Sequence, residues 1–158
     1  LQSRHLHGAA IDVFPVEPKA QGDAFESALR GLDNVILTPH VGGSTQEAQE
    51  EIGYFVSNKL SNFIDAGSTE LSVNLPVVAA PALTSGSRVA ILHHNVPGVL
   101  AAVNQILFEH HDNVLAQYLA TRGELGYVVA DVEGPSTDEC IAQIEATDWN
   151  HWVRTYNA

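Results

Sequence analysis

Asn34-Val-Ile-Leu-Thr-Pro-His40-Val-Gly-Gly-Ser-Thr45 is the stretch on which the fold turns. Val35, Ile36 and Leu37 form a short apolar run between Asn34 and Pro39, the pattern of a buried strand in an α/β sheet. His40 follows just past the carboxyl end of that strand, where open α/β sheets place their ligands. Gly42 and Gly43 carry no Cβ and let the backbone approach a ligand closely. Ser44 with Glu47 reads as a capping box, so a helix over 44–66 starts here with its free N–H groups facing the same crevice. A tight strand-to-helix turn with an incidental histidine is the competing reading of these residues alone.

A second stretch has the same form. Gly8-Ala-Ala-Ile-Asp12-Val-Phe-Pro-Val-Glu17-Pro is an apolar strand over 8–14 followed by polar groups. Asp12 interrupts the apolar run, and a carboxylate there requires a partner. Glu17 lies between Pro15 and Pro18, which stiffen the loop. A histidine that must hold and release a proton gains from a carboxylate on its other ring nitrogen. Glu17 and His40 are therefore read as a dyad.

GAAIDVFPVEP and NVILTPHVGGSTQEAQE together resemble the end of the catalytic region of the NAD-dependent D-2-hydroxyacid dehydrogenases. The resemblance continues through SVNLP and HHNVPGVL, which narrows it to the phosphoglycerate-oxidising branch of that family. It implies NAD as cofactor, 3-phosphoglycerate and phosphohydroxypyruvate as substrate pair, and His40 as the acid/base oriented by Glu17. It implies that Asp12 lies beside the nicotinamide amide and that His40, Val41, Gly42 and Gly43 edge the cofactor. The family's substrate arginine and its phosphate-cradling glycines have no counterpart in this sequence, and no GxGxxG occurs in it. The expectation is the C-terminal part of a longer enzyme, inactive by itself.

The 45% apolar content suffices for a packed core, and a net charge of −12 disfavours nucleic acid or an anionic membrane surface as partner. Only seven Lys and Arg residues are available to meet an anionic substrate. The single Cys140 fits a reducing cytoplasm and reads as a small core side chain in a helix. No apolar run approaches a membrane span. Eight histidines include the pairs His93-His94 and His110-His111, but neighbours on a strand face opposite ways and neither pair has metal-site spacing, so no metal is expected.

Residues 1–76 read as the end of the NAD-binding and catalytic region, with a loop and short helix over 19–32, the helix 44–66 and a short strand over 71–75. The helix carries Ala48, Ile52, Phe55, Val56 and Phe63 on one stripe crossed by the stem of Lys59, an exposed-patch hazard that association would relieve. Residues 77–87 read as a linker, where the family has a glycine hinge and this chain keeps only Gly86. Residues 88–158 read as strands at 88–94, 113–121, 126–133 and 152–156, with Pro97 in the first turn of one helix and Ser136 with Glu139 capping another. That order, βαββαβ, is a ferredoxin-like plan that resembles an ACT domain. The overall class is thus α/β, a Rossmann-type remnant followed by an ACT domain. Asp131 and Glu133 read as solvated strand residues. Two helices cover one sheet face and leave an open edge, so a homo-oligomer through these domains is expected.

The resemblance also maps an L-serine effector site onto His93, Asn95 and Asn113, with Val96 where the family often has arginine. The first two residues end one strand and the third starts the next, and these points are read as neighbours. Two alternatives remain open on sequence: a stand-alone amino-acid-binding and oligomerisation module, or a dehydrogenase for another 2-hydroxyacid such as glycerate.

Overall fold

The computed structural model describes residues 1–20 and 22–158; Gln21, in the loop read at 19–32, lies outside the described residues. The chain forms two compact units, Leu1–Phe55 and Val56–Ala158.

In the first unit, β1 (Ala9–Ile11) pairs in parallel with β2 (Val35–Leu37), Ala9 opposite Val35 and Ile11 opposite Leu37. β1 stops at Ile11 instead of running to Phe14. Asp12 turns its carboxylate toward the loop after β2, and the Phe14 N–H is taken by Glu17 and is not free for a ladder. The described part of 19–32 holds turns and no helix. Helix α1 (Gln46–Ala66) is capped by Thr45, whose Oγ1 accepts the Ala48 N–H at 3.1 Å. Ser44 is not the cap; its hydroxyl donates to the Val41 carbonyl at 3.0 Å and closes the preceding turn. No α1 residue is fully buried, and Ile52, Phe55, Val56, Leu60 and Ile64 are about half exposed.

In the second unit the element order is β3 (Ser87–His94), α2 (Val99–Glu109), β4 (Val114–Arg122), β5 (Leu125–Val132), α3 (Asp138–Glu145) and β6 (Asn150–Asn157). The strands form one antiparallel sheet in the order β4-β5-β3-β6. This is the expected βαββαβ plan. Val89 and Ile91 of β3, Val128, Ala130 and Val132 of β5, and Val103, Leu107, Cys140 and Ile144 of the helices form the main core. Cys140 is a buried core thiol pushed up to about 12 by its desolvation. Both helices start later than the reading, α2 by two residues and α3 by one. Pro97 precedes the cap Gly98, which has φ 95° and no side-chain cap bond, and Thr137 instead of Ser136 accepts the Cys140 N–H.

The face away from the helices is covered, which the sequence reading missed. Val78 and Ala80 pack on Ala90, Tyr127, Val129 and Tyr156. No strand forms at 71–75; Thr69 instead bonds Pro76 and Val78 and pins the segment. The Tyr127 hydroxyl donates to the Gly67 carbonyl at 2.8 Å, and the Phe63 and Trp152 rings stack at 6.4 Å.

Asp131 is not solvated. It is 7% exposed and binds the fully buried Arg88 through two parallel bonds, Nε to Oδ1 at 2.5 Å and Nη2 to Oδ2 at 2.9 Å. Arg88 Nη1 then donates to the carbonyls of Ala66 and Pro81, both at 2.8 Å. The fork geometry of a guanidinium suits this double duty, where a lysine ammonium would not. Segment 77–87 is therefore tied to the sheet through buried charge.

Candidate functional site

The parallel pair β1–β2 brings its two carboxyl ends side by side, and each strand then delivers one loop. The loop after β1 carries Asp12 and Glu17; the loop after β2 carries Thr38, His40, Val41 and Gly42. His40 sits at φ 55°, a conformation that bulky residues seldom adopt and that recurs at functional sites. It presents Nδ1 to Glu17 Oε2 at 2.9 Å. The other oxygen of Glu17 accepts the Phe14 N–H at 2.9 Å, which fixes the carboxylate. The hydrogen bond to Glu17, and then the charge of Glu17, raise the His40 pKa above its ordinary value of 6.5. Glu17 is lowered in turn, first by its bond with His40 and then by the Phe14 N–H. Nε2, the ring nitrogen not engaged by Glu17, belongs to a side chain about half exposed.

Asp12 organises the second loop. Its Oδ1 accepts the Thr38 hydroxyl at 2.6 Å and the Val41 N–H at 2.9 Å; its Oδ2 accepts the Gly42 N–H at 2.9 Å. These bonds, Thr38 first, hold its pKa down to about 2. A Cβ on Gly42 would stand 3.0 Å from Asp12 Oδ2, so a side chain there would crowd the carboxylate. Gly43 packs beside Ile52, with 3.5 Å left for a Cβ. Thr38 was absent from the sequence reading. Its signal was a hydroxyl at the strand end, across from the unpaired Asp12.

A cavity of about 640 Å³ opens beside the dyad, lined by Phe14, Glu17, Lys19, Phe25, Arg30 and His40 among others. It places two of the seven cations next to the Glu17–His40 pair.

The proposed effector residues are not all brought together. His93 and Asn95 lie at the end of β3, beside Gly126 and Asn150. Asn95 donates to the Gly123 carbonyl at 3.0 Å. Asn113 lies at the opposite end of the sheet, where Val114 pairs with Val132 and Val132 with Ser87, and it donates to Glu133 at 3.0 Å. The two levels are roughly 20 Å apart at the rise of a strand. The sequence reading made them neighbours, but β5 lies between β3 and β4 and is antiparallel to both, so β4 runs parallel to β3 and starts where β3 starts. Among the described residues no cluster of three or more His, Cys, Asp or Glu could hold a metal, and no helix is long and apolar enough to cross a membrane.

Residues 1–42 match the family described as D-isomer specific 2-hydroxyacid dehydrogenase, NAD binding domain, and residues 89–148 match the AHAS small subunit-like ACT domain. Among individual proteins, the chain is 53% identical over 143 residues to D-3-phosphoglycerate dehydrogenase of Escherichia coli K12, covering 90% of this chain. Its relatives are D-3-phosphoglycerate dehydrogenases. Those of Haemophilus influenzae and Dictyostelium discoideum are 48% and 47% identical, over 94% and 92% of this chain. The chain spans about a third of these relatives: 34%, 36% and 35% of their lengths. A solved protein of Bacteroides thetaiotaomicron, BT0572, resembles 46% of this chain and 47% of its own at 19% identity and a TM-score of 0.36. The chain is thus similar to part of a dehydrogenase's NAD-binding domain over residues 1–42 and to an ACT domain over residues 89–148, within an α/β fold.

Proposed function

We propose that the chain is the acid/base and regulatory part of an NAD-dependent D-3-phosphoglycerate dehydrogenase, which converts 3-phosphoglycerate to phosphohydroxypyruvate at the entry to L-serine synthesis. The observation that carries this is the Glu17–His40 bond at the joined ends of β1 and β2, in a segment similar to that dehydrogenase. NAD fits the donor set. Asp12 Oδ1 already accepts two bonds, but Oδ2 accepts only one, so an acceptor position remains for the carboxamide N–H of a nicotinamide. The Val41 and Gly42 N–H groups are spent on Asp12, so their part is to shape the cofactor edge together with Gly43. When bound, NAD supplies the hydride acceptor.

Neutral His40 takes the proton of the substrate hydroxyl at Nε2 as the carbon is oxidised. Glu17 stabilises the resulting imidazolium through Nδ1–H, as its effect on the His40 pKa requires. In the reverse direction the imidazolium donates that proton to the ketone oxygen. The test is a chimera in which these 158 residues replace the matching third of the E. coli relative. It should oxidise 3-phosphoglycerate with NAD, and the isolated chain should not. A chimera that binds NAD but oxidises only another hydroxyacid would overturn the substrate assignment.

The ACT domain is proposed to bind L-serine between two copies of the chain. His93 and Asn95 stand at one end of the sheet and Asn113 at the other, so a site that uses all of them requires a second copy in an antiparallel pairing. A mixing experiment tests this. Asn95→Ala chains and Asn113→Ala chains should each bind L-serine poorly in calorimetry. After subunit exchange the mixture should regain roughly a quarter of the sites, the share that random pairing of isologous dimers produces. Failure to regain binding would rule out the shared site.

A further inference from the structure

His40 is held from both sides. Upstream, Pro39 biases Thr38 toward an extended conformation and itself carries no N–H, so the two enter the turn as a stiff pair. The Thr38 N–H donates to the Ile11 carbonyl at 3.0 Å, which sets Thr38 beside Asp12, the residue that follows β1. Downstream, the Val41 carbonyl accepts both the Ser44 N–H at 3.1 Å and the Ser44 hydroxyl at 3.0 Å. These two bonds close the turn after His40.

Asp12 spans the gap between the two sides. Its carboxylate accepts the Thr38 hydroxyl, the Val41 N–H and the Gly42 N–H, so one side chain grips the backbone on either side of His40. The chain between those grips must turn back within two residues. His40 takes that turn at φ 55°, in the left-handed region that a Cβ disfavours. Such a conformation persists only where its surroundings enforce it. Of the three donors to Asp12, two are backbone N–H groups that any residue but proline supplies. The Thr38 hydroxyl alone is set by the identity of a side chain. At 2.6 Å it lies in the range of a bond strengthened by the carboxylate's charge, and its single hydrogen is committed there.

We propose that Thr38 is a positioning residue for the proton transfer: through Asp12 it holds His40 in the left-handed conformation in which the ring meets Glu17 and keeps Nε2 for the substrate. The proposal rests on the acid/base reading of the Glu17–His40 pair. The same hydroxyl fixes the rotation of the Asp12 carboxylate. Oδ1 stays with the loop, and Oδ2 keeps its remaining acceptor position toward the nicotinamide. Thr38→Val keeps the shape of the side chain and deletes the donor, whereas Thr38→Ser keeps the donor.

The experiment has two arms. In the 158-residue chain, the His40 titration and amide hydrogen exchange are followed by NMR. His40 is raised above 6.5 first by its bond to Glu17, so Thr38→Val, which loosens that contact, should bring the midpoint down toward 6.5. Exchange at the Val41 and Gly42 amides should quicken in the same variant. Thr38→Ser should leave both readings near those of the unmodified chain. In the chimera with the E. coli relative, Thr38→Val should lower kcat by about 10- to 10²-fold, the scale of a misplaced reacting group, at nearly constant KM for 3-phosphoglycerate. Thr38→Ser should restore most of that loss. Circular dichroism establishes the fold of each variant, and Thr38→Ala serves in place of Thr38→Val if valine perturbs it. Lowered global stability alone would move neither the His40 midpoint nor the split between kcat and KM. A midpoint and exchange rates unchanged in Thr38→Val overturn the proposal, as does an equal loss of kcat in Thr38→Val and Thr38→Ser. An unmodified chimera without activity overturns the dehydrogenase reading instead, and the titration still decides the role of Thr38 in placing His40.

Discussion

Arg88→Met is the perturbation with the largest structural consequence in the second unit. The guanidinium is fully buried and makes two bonds to Asp131 and two to the carbonyls of Ala66 and Pro81. Removing it leaves a nearly buried carboxylate without its counter-charge. Breaking a buried ion pair from one side costs about 3–5 kcal/mol. The melting temperature should fall on the order of 10–20 °C at a few degrees per kcal/mol for a unit of this size. Both tryptophans, Trp149 and Trp152, lie in the second unit, so denaturant unfolding followed by their fluorescence reads that unit alone. The double variant Arg88→Met, Asp131→Leu provides the contrast. Replacing a whole buried pair by apolar residues of similar volume is often neutral, so the double variant should recover most of the loss. An Arg88→Met midpoint within about 0.5 kcal/mol of the unmodified protein would refute the argument, the scale of an ordinary surface change. A double variant as unstable as the single one would instead assign the cost to the lost carbonyl bonds.

Three further outcomes are expected. Glu17→Gln replaces the carboxylate whose hydrogen bond, and then whose charge, raises His40, so the His40 midpoint, followed by NMR, should drop toward 6.5; the pair's stabilisation, present below 6.5 and lost as pH rises through the raised value, should shrink with it. Asp12 is lowered from 3.8 to about 2, so its contribution is complete above 3.8 and is lost as pH falls through about 2. Asp12→Asn should abolish that acid step and speed hydrogen exchange at the Val41 and Gly42 amides by roughly tenfold. Tyr127→Phe deletes the bond to the Gly67 carbonyl and should cost about 1 kcal/mol in the same fluorescence assay.

The parts of this molecule that were legible in the sequence are those written in local pattern. Val35–Leu37 between Asn34 and Pro39 is a strand, and the βαββαβ order follows from periodicity and punctuation. The Glu17–His40 contact was legible because each residue sits at the end of a strand whose position was already implied. Several misses have a physical origin in competition among near neighbours. Ser44 and Thr45, like Ser136 and Thr137, both offer a capping hydroxyl; Ser44 is drawn into a turn contact with Val41, Ser136 faces the Ser87 hydroxyl of β3, and the threonines cap. Arg88 and Asp131 each look like exposed strand charges alone, and only the β3–β5 register, which sets them opposite, makes a buried pair. Asn113 was misplaced because strand order, not strand sequence, decides which end of a sheet a residue reaches. Segment 77–87 reads as a linker by composition, yet three-dimensional contacts from Arg88 to Pro81 hold it.

The central claim, that the Glu17–His40 pair performs the proton transfer of a D-3-phosphoglycerate dehydrogenase, is tested most directly by His40→Ala in the chimera with the E. coli relative. The account predicts turnover lower by about 10²-fold or more, the usual scale for a positioned acid/base, with NAD binding preserved. Turnover within a few-fold of the unmodified chimera would contradict it.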